Sequence, residues 1–146
     1  MANKFIQGYY HPVNKEKYAG EKVPIFRSSW EHKVMVMFDT NPNIISWVSE
    51  GLKIPYQNPF TGKYTVYVPD FIVTYIDAHG KQITELIEVK PAKEAILEQA
   101  KSQKAKAAFV LNQYKWEAAR AFAKQHGIGF RVMTENNIFN NPKRKG

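Results

Sequence analysis

The sequence predicts an α/β fold in which a mixed β-sheet is flanked by α-helices. Two apolar segments, 71–76 and 83–89, are separated by a short turn that contains glycine, which is typical of an antiparallel hairpin. The composition then changes to Ala, Lys, Glu and Gln from Ala92 to His126, which indicates helix, and an apolar run returns at 128–134. Strands followed by helices and a final strand place helices against the faces of the sheet.

The N-terminal part is predicted to be an arm followed by one helix. Residues 1–26 contain several Tyr and Pro residues and little periodicity, so we expect an irregular arm that packs on the core rather than a separate domain. Ser28 and Glu31 have the spacing of a capping box, which predicts a helix over 29–39. The Asn-Pro-Asn run at 41–43 ends this helix.

Segments rich in β-branched and aromatic residues are predicted to be strands. They are 44–50, 52–56, 63–68, 71–76, 83–89 and 128–134. The 35 residues from Ala92 to His126 are long for one helix, so we predict two helices with a break at Asn112 and with Gly127 as the C-terminal cap. Residues 140–146 are predicted to be a basic, flexible tail.

Composition restricts the class of protein. A chain of 146 residues is the size of one domain. It has no cysteine, which excludes a disulfide scaffold, a Cys nucleophile and Cys-ligated metals. It also has no long apolar segment and no signal-like N-terminus, so we expect an intracellular protein without a membrane span. The net charge of +8, from 21 basic and 13 acidic residues, favours nucleic acid as a partner.

The hairpin geometry brings two carboxylates and a lysine together. If residues 78–80 form a three-residue loop with the glycine in the left-handed conformation, paired positions sum to 158. Asp70 then lies opposite Glu88, with Cβ atoms about 5 Å apart on the same face. Lys90, two residues after Glu88, lies on that face as well.

This group of residues suits phosphodiester hydrolysis. Two close carboxylates repel unless one is protonated or a divalent cation bridges them, and Mg²⁺ or Mn²⁺ prefers carboxylate oxygens with water and phosphate completing the shell. A nearby lysine stabilises charge on the phosphate in the transition state. The alternative is that Asp70 and Glu88 are solvated strand ends and Lys90 is an ordinary cross-strand ion pair.

Further motifs indicate a family. They are Arg27-Ser28-Ser29-Trp30-Glu31, Ile45-Ser46-Trp47-Val48-Ser49-Glu50, Ile54-Pro55-Tyr56, Tyr67-Val68-Pro69-Asp70-Phe71, Ile87-Glu88-Val89-Lys90-Pro91, Lys115-Trp116 and Met133-Thr134-Glu135. Across 27–135 the chain resembles the head completion nucleases of tailed phages, in the PD-(D/E)xK superfamily. More distantly it is similar to the endonuclease subunit of Tn7-type transposases. The resemblance implies a restriction-endonuclease-like core over 27–139 and a Mg²⁺-dependent DNA endonuclease, with Mn²⁺ able to substitute, that acts after DNA packaging.

The resemblance also implies roles for individual residues. Asp70 and Glu88 match the metal-binding acids, with the Val89 carbonyl as a further ligand, and Lys90 matches the catalytic lysine. Glu31 matches an acid on the preceding helix that supports catalysis or a metal; it is also the N3 residue of the capping box, and the two roles can coexist. Basic and amide side chains near the motif are candidate contacts to DNA phosphates or members of a solvated helix face. They are Arg27, Lys93, Lys101, Gln103, Lys104 and Lys106. Glu50, at a strand end, is either a further ligand or an exposed cap.

Several alternatives stay open at this point. The partners implied are DNA and the portal or neck proteins of a phage, with a homodimer as an option because one chain has one cutting site. The location implied is the cytoplasm of a bacterial host, with association with the virion as an option. A structure-specific nuclease for junctions or transposon ends would carry the same motif, and a basic, non-catalytic protein that binds DNA ends or the portal would share the charge.

Overall fold

The computed structural model describes residues 7–95 and 101–139. The strands in these ranges are β1 (Gly8–Tyr9), β2 (Ile25–Phe26), β3 (Ile44–Ser49), β4 (Ile54–Gln57), β5 (Tyr64–Tyr67), β6 (Phe71–Ile76), β7 (Gln82–Val89) and β8 (Gly129–Met133). The helices are α1 (Ser29–Thr40), α2 (Ala92–Ala95), α3 (Gln103–Gln125) and α4 (Glu135–Phe139), with one 3₁₀ turn at Lys15–Lys17. None of these helices combines the length and the apolar character of a membrane-spanning segment.

The central sheet contains four strands in the order β3, β6, β7, β8. The first two pairs are antiparallel and the β7–β8 pair is parallel. The parallel pair is possible because α2 and α3 lie between its strands in the chain, and parallel neighbours need such a crossover. The sheet is therefore mixed, and the predicted α/β class is confirmed. β4 and β5 form a separate antiparallel pair beside it.

The β6–β7 hairpin has the register that its loop predicts. The Asp77 N–H donates to the Lys81 carbonyl at 2.8 Å, and Gly80 adopts a φ of 78°, which an L side chain rarely adopts. Phe71 pairs with Ile87, and all pairs along the hairpin sum to 158. The predicted register is thus confirmed.

Both faces of the sheet are buried, each against a helix. One core cluster places α1 on the sheet through Val34, Met35, Phe38, Trp47, Phe71, Val73, Ile87, Val89 and Met133. The other places α3 and the β4–β5 pair on the opposite face through Ile54, Tyr56, Tyr67, Leu86, Trp116, Ala119 and Ala123. Successive residues of β7 alternate between these clusters, as expected for a strand covered on both sides.

The helical segment after β7 is divided at a different place from the predicted one. Two helices are present, but the predicted break at Asn112 is wrong. Asn112 is buried within α3, and its Nδ2 donates to the Glu94 carbonyl at 3.3 Å. The second helix instead begins after Ser102, whose hydroxyl accepts the Ala105 N–H at 3.0 Å. Gly127, with a φ of 68°, ends α3 as predicted.

The N-terminal segment of the described chain packs on α1, and a short helix, α4, ends the described chain. The segment between β1 and β2 is bound to the end of α1, where the buried Asp39 accepts hydrogen bonds from the Tyr10 hydroxyl and from the N–H groups of Val13 and Asn14. α4 was not predicted from the sequence. The predicted basic tail at 140–146 lies outside the described residues.

Candidate active site

Two carboxylates lie opposite each other where β6 begins and β7 ends. Asp70 directly precedes β6 and continues the hairpin register to Glu88. Asp70 Oδ2 accepts the Val89 N–H at 2.7 Å, and the Asp70 carbonyl accepts the Glu50 N–H at 3.0 Å. Backbone contacts from two neighbouring strand ends therefore hold this residue at the edge of the sheet.

Glu88 is buried and has two polar partners. The Tyr67 hydroxyl donates to Glu88 Oε1 at 2.6 Å, and Lys90 Nζ lies 3.3 Å from Glu88 Oε2. Lys90 Nζ also lies 4.0 Å from Glu94 on α2, and the Lys90 backbone N–H donates to the Met133 carbonyl at 2.9 Å. The three residues predicted to be central, Asp70, Glu88 and Lys90, are thus brought together.

The charges of this group perturb one another. Burial raises the pKa of Asp70 well above its ordinary value, and the negative charges of Glu88 and Glu31 raise it further. Burial acts to lower the pKa of Lys90, but Glu88, Glu94 and Asp70 outweigh it, and that pKa is raised. Lys90 is therefore positively charged at neutral pH.

Glu31 lies in the first turn of α1 and combines a local and a site-facing role. Its N–H donates to the Ser28 hydroxyl at 3.1 Å, which is the first half of the predicted capping box. The carboxylate accepts the Arg27 N–H at 2.9 Å instead of returning to the N-cap residue. Burial raises the pKa of Glu31, and the negative charges of Glu50 and Glu88 raise it further. The hydrogen bond from the Arg27 N–H acts in the opposite direction but is outweighed.

Arg27 is held by Glu50 at the rim of the site. Its Nε and Nη2 donate to the two Glu50 carboxylate oxygens at 2.9 and 3.2 Å. Both side chains are substantially exposed, at 49% and 35%. Glu50 has a φ of 53°, a left-handed conformation that is uncommon outside glycine.

The other candidate DNA contacts lie in α2 and around the start of α3. Lys93 lies in α2 and Lys101 lies just before the N-cap residue of α3. The first turns of α3 contain Gln103, Lys104 and Lys106, and these three and Lys101 are exposed. Among the described residues, none of the lysines at 101, 104 and 106 forms an ion pair with a carboxylate. The structure does not bring them into contact with Asp70 or Glu88.

Two further residues near Glu88, Tyr67 and Lys115, belong to the motifs that carry the resemblance but were given no role from the sequence. Burial and the charge of Glu88 raise the pKa of Tyr67, so its hydroxyl keeps the proton that it donates. Lys115 Nζ lies 5.9 Å from the centre of the Tyr67 ring, and burial together with the positive charge of Lys90 lowers the pKa of Lys115. A signal for Lys115 was present, because it lies three residues after Asn112 and four before Ala119, on the buried face of α3.

Asp70 and Glu88 are the acidic side chains of the site that could bind a metal ion. Within 7–95 and 101–139, no group of three or more His, Cys, Asp or Glu side chains has the spacing of a complete metal site. Asp70 and Glu88 nonetheless supply two hard oxygen donors whose mutual repulsion a cation would relieve. Mg²⁺ is commonly bound by one or two carboxylates with water and substrate phosphate. The residues present therefore fit a Mg²⁺ or Mn²⁺ ion that shares its shell with a substrate.

A mixed sheet with α1 on one face and α3 on the other, and with acidic residues at its edge, defines a restriction-endonuclease-like fold. The family model of the TnsA-like endonuclease N-terminal domain matches residues 41–135. The chain is also 34% identical over 142 residues to the head completion nuclease of Enterobacteria phage T4, covering 90% of this chain and 92% of that protein. The chain belongs to the TnsA-like endonuclease family, and the resemblance predicted from its motifs is confirmed.

Proposed function

We propose that this protein is a metal-dependent DNA endonuclease that acts in phage head completion after DNA packaging. The observation that carries the proposal is the opposed pair Asp70 and Glu88 with the charged Lys90 3.3 Å from Glu88. Clustered acids at the edge of a chain with a net charge of +8 are unfavourable for binding DNA alone, because they repel phosphate. They are useful when a cation stands between them and the substrate.

The metal site would be formed by Asp70, Glu88 and the Val89 carbonyl, with Mg²⁺ as the ion and Mn²⁺ as an alternative. Such an ion lowers the pKa of bound water and neutralises charge on the phosphate. The Tyr67 hydroxyl, 2.6 Å from Glu88, fixes the orientation of that carboxylate. Glu31, in the first turn of α1, would serve a second metal position or support Lys90, and the influence of the Glu88 charge on its pKa supports this role.

The reaction is hydrolysis of a phosphodiester. The oxygen of water forms a bond to phosphorus while one bond from phosphorus to a deoxyribose oxygen breaks; the water loses a proton to solvent, and the leaving oxygen gains one. Lys90 remains protonated and donates hydrogen bonds to the attacking water or to a phosphate oxygen as negative charge develops. Covalent catalysis is not required.

DNA would reach this edge of the sheet between two basic regions. One consists of Arg27, which lies just before α1, and the other of Lys93, Lys101, Gln103 and Lys104, which lie in α2 and around the start of α3. Phosphate contacts from such side chains position the duplex without reading its sequence. Release of Arg27 from Glu50 would make its guanidinium available to a phosphate.

The biological setting is proposed from the relative. The protein from phage T4 carries the name head completion nuclease, and the alignment covers 92% of it. For this chain we propose the same stage of assembly, in the cytoplasm of a bacterial host and at the portal or neck of the virion. Cutting both strands would take a homodimer or two successive nicks, because each chain has one such site.

Cleavage assays test the proposal. Purified protein is incubated with supercoiled, linear and branched DNA in Mg²⁺, Mn²⁺ or EDTA, together with the Asp70→Ala, Lys90→Ala and Lys81→Ala variants. Lys81 is an exposed lysine at the opposite end of the same hairpin, so it serves as a matched control. We expect cleavage that requires a metal, that is lost in the first two variants by a factor of about 100 or more, and that persists in the control.

The substrate preference distinguishes the alternatives. Preferential cutting of branched or transposon-end DNA would favour the structure-specific nuclease, which the match to a TnsA-like domain also allows. If the wild type binds DNA without cutting any of these substrates in either metal, the catalytic proposal fails and the non-catalytic binder replaces it.

A further inference from the structure

Lys115 on α3 is a second cation of the site that neither the sequence motifs nor the comparisons assign to a role. Its ammonium group lies 5.9 Å from the centre of the Tyr67 ring, and the Tyr67 hydroxyl in turn contacts Glu88 at 2.6 Å. The side chain is only partly exposed, since it extends from the helix face that carries the buried Asn112, Trp116 and Ala119. The charge is thus directed from α3 toward the carboxylates at the sheet edge.

Lys115 and Lys90 differ in their ionic partners. Lys90 lies near two carboxylates, those of Glu88 and Glu94. Within the described parts of the chain, Lys115 forms no ion pair within 4 Å, and its charge faces an aromatic ring. A partly buried ammonium without an anionic partner is costly, and lysines that only cover a surface keep the charge in water. An anion from outside the chain, placed beside Lys115, would compensate this charge.

We infer that Lys115 binds a non-bridging oxygen of the DNA phosphate held at Asp70 and Glu88, from the α3 side of the site. This inference rests on the proposed function, since the phosphate is that of the substrate. Lys90 contacts the phosphate from the end of β7, and Lys115 contacts it from the helix. The Tyr67 ring keeps water away from the Lys115 ammonium and fixes its direction. Lys115 is therefore a substrate-contacting residue for the nuclease reaction.

Two measurements on the full chain test this inference, with Lys124→Met as the control. Lys124 is an exposed lysine in the last turn of the same helix, nine residues further on and on the other face. In single-turnover cleavage, we expect Lys115→Met to reduce the rate about 100-fold, Lys115→Arg to restore most of it and Lys124→Met to leave it unchanged. The Tm of Lys115→Met should equal or exceed that of the wild type, because the variant removes a partly buried charge without an ionic partner. If this variant loses its native circular dichroism spectrum, Lys115→Gln takes its place.

Binding provides a readout that does not depend on cleavage. In an Asp70→Asn background, affinity for a duplex is measured against salt concentration in Mg²⁺. Loss of one phosphate contact should reduce the slope of log affinity against log salt by about 0.9 in the Lys115→Met variant and not in Lys124→Met. If the wild type does not cut DNA, the proposed function fails, and the contact between Lys115 and phosphate is then tested by the salt dependence of binding alone. If Lys115→Met behaves as Lys124→Met in rate and slope, the inference is overturned.

Discussion

The substitution Asp39→Asn tests how the N-terminal arm is attached to the core. Asp39 is fully buried near the end of α1. Its Oδ2 accepts hydrogen bonds from the Tyr10 hydroxyl and from the Val13 N–H at 2.7 Å, and its Oδ1 accepts the Asn14 N–H at 2.9 Å. All the partners of this carboxylate are donors, and an amide presents one oxygen and one NH₂ group in the same volume.

The hydrogen-bond count gives the magnitude. If the amide oxygen of the variant takes the place of Oδ2, the Tyr10 and Val13 bonds survive without the charge, and the NH₂ group faces the Asn14 N–H. The reverse orientation loses two bonds. A hydrogen bond to a charged group contributes about 1.5–3 kcal/mol, so the loss of one and the weakening of two others should cost about 3 kcal/mol. For a domain of this size that lowers Tm by roughly 6–12 °C.

Thermal unfolding followed by circular dichroism measures this effect. Asp77→Asn is the control, because Asp77 lies in an exposed turn in which an asparagine makes the same local hydrogen bonds. Burial acts to raise the pKa of Asp39, but its donors Tyr10, Val13 and Asn14 outweigh burial and lower it. The unfolded chain therefore binds the proton more tightly, so the contribution of Asp39 is complete above about pH 4 and is lost as the pH falls through the folded pKa. Equal Tm values for the two variants at pH 7, or a difference that does not shrink at pH 3, would refute this reasoning.

Three further predictions concern the site and its supports. Asp70→Asn should abolish cleavage and yet raise stability in EDTA by about 1–2 kcal/mol, because it removes a carboxylate that Glu88 and Glu31 repel; a lower Tm than wild type would contradict this. Tyr67→Phe should slow cleavage about tenfold with a normal fold, because Glu88 loses its 2.6 Å donor, and single-turnover rates together with circular dichroism measure both. Ser28→Ala should cost about 1 kcal/mol in urea unfolding through loss of the α1 cap, with Ser28→Gly much less harmful.

The fold was predictable where local chemistry determines geometry. The turn at 78–80 contains a glycine able to adopt a positive φ, and that single requirement fixes the β6–β7 register and hence the pairing of Phe71 with Ile87. The helix break was not predictable from residue preference alone. Asn112 favours breaks on average, but here its amide binds the Glu94 carbonyl on another helix, a tertiary contact that no local rule contains. Ser102, a residue type that commonly caps helices, marks the position where α3 begins.

The candidate site likewise has residues that local chemistry aligns and residues that only tertiary contacts bring in. Asp70, Glu88 and Lys90 follow from the hairpin register, because they lie on one pair of adjacent strands. Tyr67 and Lys115 belong to β5 and α3, and only the packing of those elements on the sheet brings Tyr67 to Glu88 and Lys115 to the Tyr67 ring. Sequence spacing therefore locates the part of a site that secondary structure aligns, and it misses the part that tertiary packing adds.

Glu50 links Asp70 to Arg27, which in turn contacts Glu31. Its N–H binds the Asp70 carbonyl at 3.0 Å, its carboxylate binds Arg27, and the Arg27 N–H binds Glu31. A left-handed conformation in a non-glycine residue costs about 1–2 kcal/mol, and an exposed ion pair such as that with Arg27 returns only about 0–1 kcal/mol. The ion pair by itself therefore does not account for the φ of 53°. Glu50 also donates its N–H to the carbonyl of Asp70, which directly precedes β6, while its ion-pair partner Arg27 lies just before α1. This one residue therefore connects the starts of β6 and α1 at the edge where the charge of Glu31 contributes to the raised pKa of Asp70.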